Sequence, residues 1–99
     1  MDDEEIRELR DKIAGTRYQF LRTHMQTCIT ALEMANYELS IGNTSVAKVE
    51  VAAVEKGIHT IRRFLPEVTG EQKTELQARL ADVNARLDSL KAELTTPSR

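Results

Sequence analysis

Apolar side chains recur at Leu76, Leu80, Val83, Leu87, Leu90 and Leu94, in alternating steps of four and three. That spacing holds one face of an α-helix against a neighbour. A second seam runs through Tyr18, Leu21, Met25, Cys28, Leu32, Ala35 and Leu39 and falls within one narrow arc of a helix. The segment between them is rich in β-branched residues, but its alternation fails at Ala52, Ala53 and Val54. Val51, Val54, Ile58, Ile61 and Leu65 keep helical spacing instead. Packing outweighs a propensity difference of about a few tenths of a kcal/mol per residue, so this segment also reads as helix.

Punctuation sets the boundaries. Gly42-Asn43 ends the first long helix, Pro66 stops the second, and Thr69 with Gln72 matches a capping box opening the third. The pattern predicts helices over roughly 16–41, 44–65 and 70–94, each about 33–39 Å long. Short connections force neighbours antiparallel. The expectation is an all-α antiparallel three-helix bundle. A weaker stripe of Ile13, Phe20, His24 and Ala31 lies beside the main seam of the first helix, as two neighbouring helices would require. Ala53 and Gly57, four apart, would let another backbone approach closely.

The acids at 2–5 followed by Ile6, Leu9 and Ile13 read as a helix start, because carboxylates favour the positive end of the helix dipole. Gly15-Thr16 with Gln19 then offers a second start, leaving both a break and a continuous helix open. Residues 1–15 are therefore an acidic N-terminal helical extension, a fourth short helix if the break is real. Residues 16–94 form the bundle and 95–99 a flexible tail. The stripe Ile6, Leu9 and Ile13 has no helix of matching length to cover it. It must either fold back on the bundle or meet another chain, and the marginal stability of an isolated helix of about 12 residues in water favours the second.

Composition fits this picture: 99 residues, 40% hydrophobic, 30% charged and only 4% aromatic, too few aromatic and turn residues for a β domain. A net charge of −2 gives no general pull toward nucleic acid or membrane. The charge is uneven, with six acids against three bases in residues 1–15. A single cysteine, Cys28, excludes an internal disulfide and multi-cysteine zinc patterns. No apolar run reaches the roughly 20 residues of a membrane span, and no secretory h-region follows Met1, so a cytoplasmic setting is expected.

Candidate chemistry is sparse. His24 and Cys28 stand four apart and His59 falls at about their level in an antiparallel hairpin. His59 projects from the polar side of its helix, however, so a packed Cys28 is expected rather than a metal site. Glu50 falls inside the apolar arc and needs solvent or a donor such as Asn36. Glu75–Arg79 and Asp82–Arg86 are expected surface pairs. No nucleophile–base set or phosphate-cradling glycine loop is present, and no cofactor is implied. The stretch Leu9-Arg10-Asp11-Lys12-Ile13 on a long first helix resembles the all-helical chorismate mutases. Thr27 and Glu38 stand where that family carries further cationic side chains, so membership does not follow.

The functional expectation is a non-enzymatic interaction or oligomerisation module, with a homodimer or a helical protein as partner. Ile6, Leu9, Ile13 and Phe20 would supply the contact, with Arg10 and Arg17 orienting acidic groups. Two alternatives belong to other classes. Lys56, Arg62 and Arg63 would serve a nucleic-acid-associated regulator, disfavoured by the interrupting Glu55 and the absence of interleaved aromatics. A ligand-binding or catalytic bundle would need a cavity lined by His24, Cys28, Glu50 or the arginines.

Overall fold

The computed structural model describes residues 2–95 and contains three α-helices: α1 (Asp3–Ser40), α2 (Thr44–Phe64) and α3 (Gly70–Thr95). A 3₁₀ turn, Leu65–Glu67, links α2 to α3 where Pro66 cannot continue an α-helix. The all-α three-helix bundle is therefore as the seams predict. Of the flexible tail expected at 95–99, Thr95 belongs to α3 and the remainder lies outside the described residues.

The core follows the three seams. Tyr18, Leu21, Met25, Cys28, Leu32 and Ala35 of α1 meet Val51, Val54, Ile58 and Ile61 of α2 and Leu76, Leu80, Val83, Leu87 and Leu90 of α3. Leu39 and Leu94 pack at its edges, half-buried. Two fully buried residues belong to none of the seams: Ala47 in the first turn of α2, and Val68 in the extended stretch before α3.

α1 ends in a Schellman motif. Asn43 N–H donates to the Glu38 carbonyl at 2.8 Å and Gly42 N–H to the Leu39 carbonyl at 3.1 Å, with Gly42 at φ +83. The Asn43 side chain adds a 2.9 Å bond to the Glu38 carboxylate. At the other end Asp2 caps the helix, its Oδ1 accepting from Glu5 N–H at 2.8 Å.

Between these caps α1 runs unbroken for 38 residues. Gly15 and Thr16 do not interrupt it. The Thr16 hydroxyl donates back to the Lys12 carbonyl at 3.0 Å, a use compatible with a helix interior, instead of capping a new N-terminus. At 1.5 Å per residue α1 is about 57 Å long, whereas α3 is about 39 Å. The molecule is consequently a rod, 67 × 18 × 16 Å. Its radius of gyration is 17.2 Å, against about 13 Å for a compact chain of this length.

Candidate functional site

The rod is asymmetric because α1 outruns its bundle. The first α1 side chains seated on the other elements are Arg17 and Tyr18, which reach Glu67 and Glu75. Residues 3–16 project beyond them as an overhang of about 21 Å, and none of them is buried.

Placed on a helical wheel, Ile6, Leu9, Ile13, Thr16 and Phe20 form a heptad-like seam on the overhang. Its centre is turned by about 110° from the stripe that enters the bundle core. Toward the bundle this seam continues through His24 and Ala31, which α2 half-buries. The two adjacent stripes of this helix were expected to meet two neighbouring helices. Only α2 approaches this seam, because α3 packs on the other flank of α1, where Tyr18 bonds Glu75. Ile13 and Phe20 are therefore left 55% and 38% exposed, and Leu9 47%.

Among the described residues every large, exposed hydrophobic lies between Leu9 and Val49, on α1, its C-cap or the start of α2. α3 has spent its apolar residues on the core.

Leu9, Lys12, Ile13, Thr16, Arg17 and Phe20 line a shallow groove of about 430 Å³ on the overhang. Its inner end is a cation–aromatic cluster. The Arg17 guanidinium lies 4.4 Å from the Phe64 ring centre and 5.5 Å from that of Phe20. Arg63 stands 5.4 Å from the same Phe64 ring. Phe20 meets Phe64 edge-on at 6.0 Å and tilts against His24 at 4.5 Å. Arg17 Nε sits 3.3 Å from Glu67 Oε2 without the alignment of a hydrogen bond, so the contact is an ion pair. Arg17 is thus engaged within the molecule. Arg10 and Lys12, by contrast, form no ion pair among the described residues.

Further along the same face, His24, Thr27, Cys28 and Ala31 of α1 and Ala53, Gly57 and Thr60 of α2 line a second groove of about 310 Å³. Here the small residues let the helices close together. A β-carbon on Gly57 would meet Cys28 Sγ at 2.6 Å. The thiol, buried against α2, is pushed to higher pKa by desolvation. Glu50 lies half-buried on the rim beside Thr27, Thr30, Ala31 and Met34 rather than against Asn36.

The other candidate residues are dispersed. His59 lines the α2/α3 furrow, on the opposite side of α2 from His24 and Cys28. Among the described residues no three His, Cys, Asp or Glu side chains are placed to hold a metal ion. Arg62 also faces the α2/α3 furrow, with Glu55 and Asp88, while Lys56 lines the α1/α2 groove and Arg63 stands over Phe64. Lys56 and Arg63, one heptad apart, therefore share the α1-facing side of α2, and Arg62 points away from them. No described helix is long and apolar enough to cross a membrane.

The aromatic anchor Phe64, the Arg17 partner Glu67 and the loop-end apolar residues Met34, Ile41, Val46 and Val49 were not singled out by sequence reasoning. Arg17 and Glu67 are fifty positions apart, so no local pattern links them. No family model, curated protein or solved structure matches the chain.

Proposed function

We propose that this protein is a non-enzymatic interaction module that pairs with a second copy of itself through the α1 overhang. The observation that carries the reading is a helix projecting about 21 Å past its bundle with Leu9 and Ile13 roughly half exposed.

Three physical arguments support it. A helical stretch of about 14 residues without tertiary cover gains little from backbone hydrogen bonding alone, so a partner surface would stabilise it. Burying each Leu or Ile is worth about 1.5–3 kcal/mol before the costs of association are met. The occupant also matches in charge. Arg10 and Lys12 flank the seam without ion pairs of their own, while Asp2, Asp3, Glu4 and Glu5 crowd the tip of the same helix. A second copy brings acids to bases and an apolar stripe to an apolar stripe.

Sedimentation velocity of the whole protein tests the reading. The wild-type chain is expected to dimerise reversibly, and Leu9→Asp/Ile13→Asp to remain monomeric with the thermal transition of the bundle unchanged, since neither residue is in the core. A wild-type protein that stays monomeric at high concentration would overturn it.

A further inference from the structure

We infer that the two copies pair antiparallel, overhang against overhang, with Ile6 of each facing the partner's Leu9. The inference rests on the self-association proposed above and fixes its orientation and register.

Charged residues flank the seam on both sides. Asp3, Arg10 and Arg17 line one flank, and Glu5, Lys12 and Gln19 the other, each set repeating every seven residues. An antiparallel pair is related by a two-fold axis perpendicular to the helices, which brings each flank against the same flank of the partner. A parallel pair is related by an axis along the helices, which brings opposite flanks together.

The flanking charges then separate the arrangements. With Ile6 against the partner's Leu9, Asp3 meets the partner's Arg10 and Glu5 meets the partner's Lys12. By symmetry each pair occurs twice, so all four contacts are attractive. Sliding by one heptad sets Leu9 against the partner's Ile13 and Ile6 against the partner's Thr16. The inferred register instead sets Ile13 beside the partner's Asp2, so the flanking charges and not the apolar layers favour it. The slide also brings Arg10 to the partner's Arg10 and Lys12 to the partner's Lys12, two repulsive contacts. The attraction gained in exchange, from Asp3 to the partner's Arg17, falls on a guanidinium already paired with Glu67. A further slide opposes Arg10 to the partner's Arg17. A parallel pair places Glu5 beside the partner's Arg10, but Lys12 beside the partner's Arg17, and it stacks the two acidic tips together. Flanking charges of this kind set register and orientation more than affinity.

The length of the overhang accommodates this register. The partner's helix would overlie residues 2–13 and end before Arg17, where the bundle begins, leaving the aromatic cluster in place.

Lys12→Glu tests the inference in the full-length protein, because the three arrangements respond with different signs. Position 12 is exposed on the helix surface, so the fold is expected to survive, and circular dichroism verifies this. In the inferred register the substitution converts two attractive contacts to repulsive ones and weakens dimerisation about tenfold. Glu5→Lys/Lys12→Glu reverses both partners and is expected to return the dissociation constant to within about twofold of wild type. An unchanged constant for Lys12→Glu would point to the register slid by one heptad, and a tighter dimer to the parallel pair. Either result would overturn the inference while leaving self-association standing. A monomeric wild-type protein would remove both.

Discussion

Gly57 of α2 lies so close to Cys28 of α1 that a β-carbon at position 57 would stand 2.6 Å from the sulfur. The sulfur also sits 4.0 Å from the Val54 carbonyl, so it is enclosed by the same turn of α2. A glycine inside a helix ordinarily costs about 1 kcal/mol relative to alanine, and here that cost permits the two helices to approach. Gly57→Ala is expected to destabilise the bundle by about 1–3 kcal/mol through overpacking. In a Cys28→Ala background the obstruction is gone, and the same substitution should be neutral or stabilising. Urea unfolding of the four proteins of this cycle measures the change of sign. Additive losses would show that the contact does not govern the approach.

The Cys28 thiol is only 3% exposed, and burial raises its pKa. Both effects suppress the thiolate that reacts. A soluble disulfide reagent at neutral pH should label the native protein far more slowly than the urea-unfolded chain. The native rate should rise with each destabilising variant as opening becomes more frequent. Rapid labelling of the folded protein would mean that the α1/α2 seam opens by itself.

Tyr18 fastens α1 to α3 where the bundle begins. Its hydroxyl donates to Glu75 Oε2 at 2.6 Å, and Glu75 Oε1 in turn pairs with Arg79 at 3.3 Å. The hydrogen bond to Glu75 raises the phenol above its ordinary value of about 10, with burial and the carboxylate charge adding to the shift. A folded-state pKa above the unfolded one means that the contribution is complete below about pH 10. It is then lost as pH rises through the folded value. Tyr18→Phe should lower the melting temperature at neutral pH. The difference from wild type should shrink on alkaline titration, and a constant difference would assign the loss to packing instead.

The apolar seams were legible in the sequence because burial imposes spacings of three and four on whatever residues fill them. Val51, Val54, Ile58 and Ile61 kept that spacing in a segment whose composition favours strand, and all four are buried. The Gly15-Thr16 junction was not legible, because a threonine hydroxyl can cap a new helix or donate back to the preceding turn. The sequence around it is the same in either case. Ala47 stands outside the seams as a lone small residue, and Val68 lies in no periodic segment, so neither has a spacing that predicts its burial. The candidate site was half readable. Leu9, Ile13 and Phe20 announce a seam, but that Phe20 stays open depends on which flank of α1 receives α3. The cluster of Arg17, Phe64 and Glu67 joins residues some fifty positions apart and has no local signature.

Arg17 couples the overhang to the bundle. Its guanidinium rests on Phe64 at 4.4 Å while reaching Glu67 at 3.3 Å, and its side chain is 29% exposed. Contacts of this partly exposed kind are worth about 0.5–2 kcal/mol for the aromatic part and less for the ion pair. Arg17→Lys keeps the charge but loses the flat surface that stacks on the ring, so it should recover little of the stability lost in Arg17→Ala. Full recovery by lysine would show that charge toward Glu67 is the principal term.

Gly15 tests how the overhang is held. No atom lies within 4 Å of the position a β-carbon would take there, and its φ is negative, so alanine fits without strain. Gly15→Ala should therefore stabilise the helix by about 0.5–1 kcal/mol. Residues 3–14 have no cover from the bundle, so their amides should exchange by local fraying rather than by global unfolding. The substitution should slow exchange across these residues by about two- to fivefold while leaving the amides of the core seams unchanged. Raising the protein concentration should protect the same stretch further if a second copy covers it. Hydrogen exchange followed by NMR reads both effects residue by residue. Protection of residues 3–14 equal to that of Leu21 or Leu32, independent of concentration and of Gly15→Ala, would mean that the overhang is sheltered within the monomer.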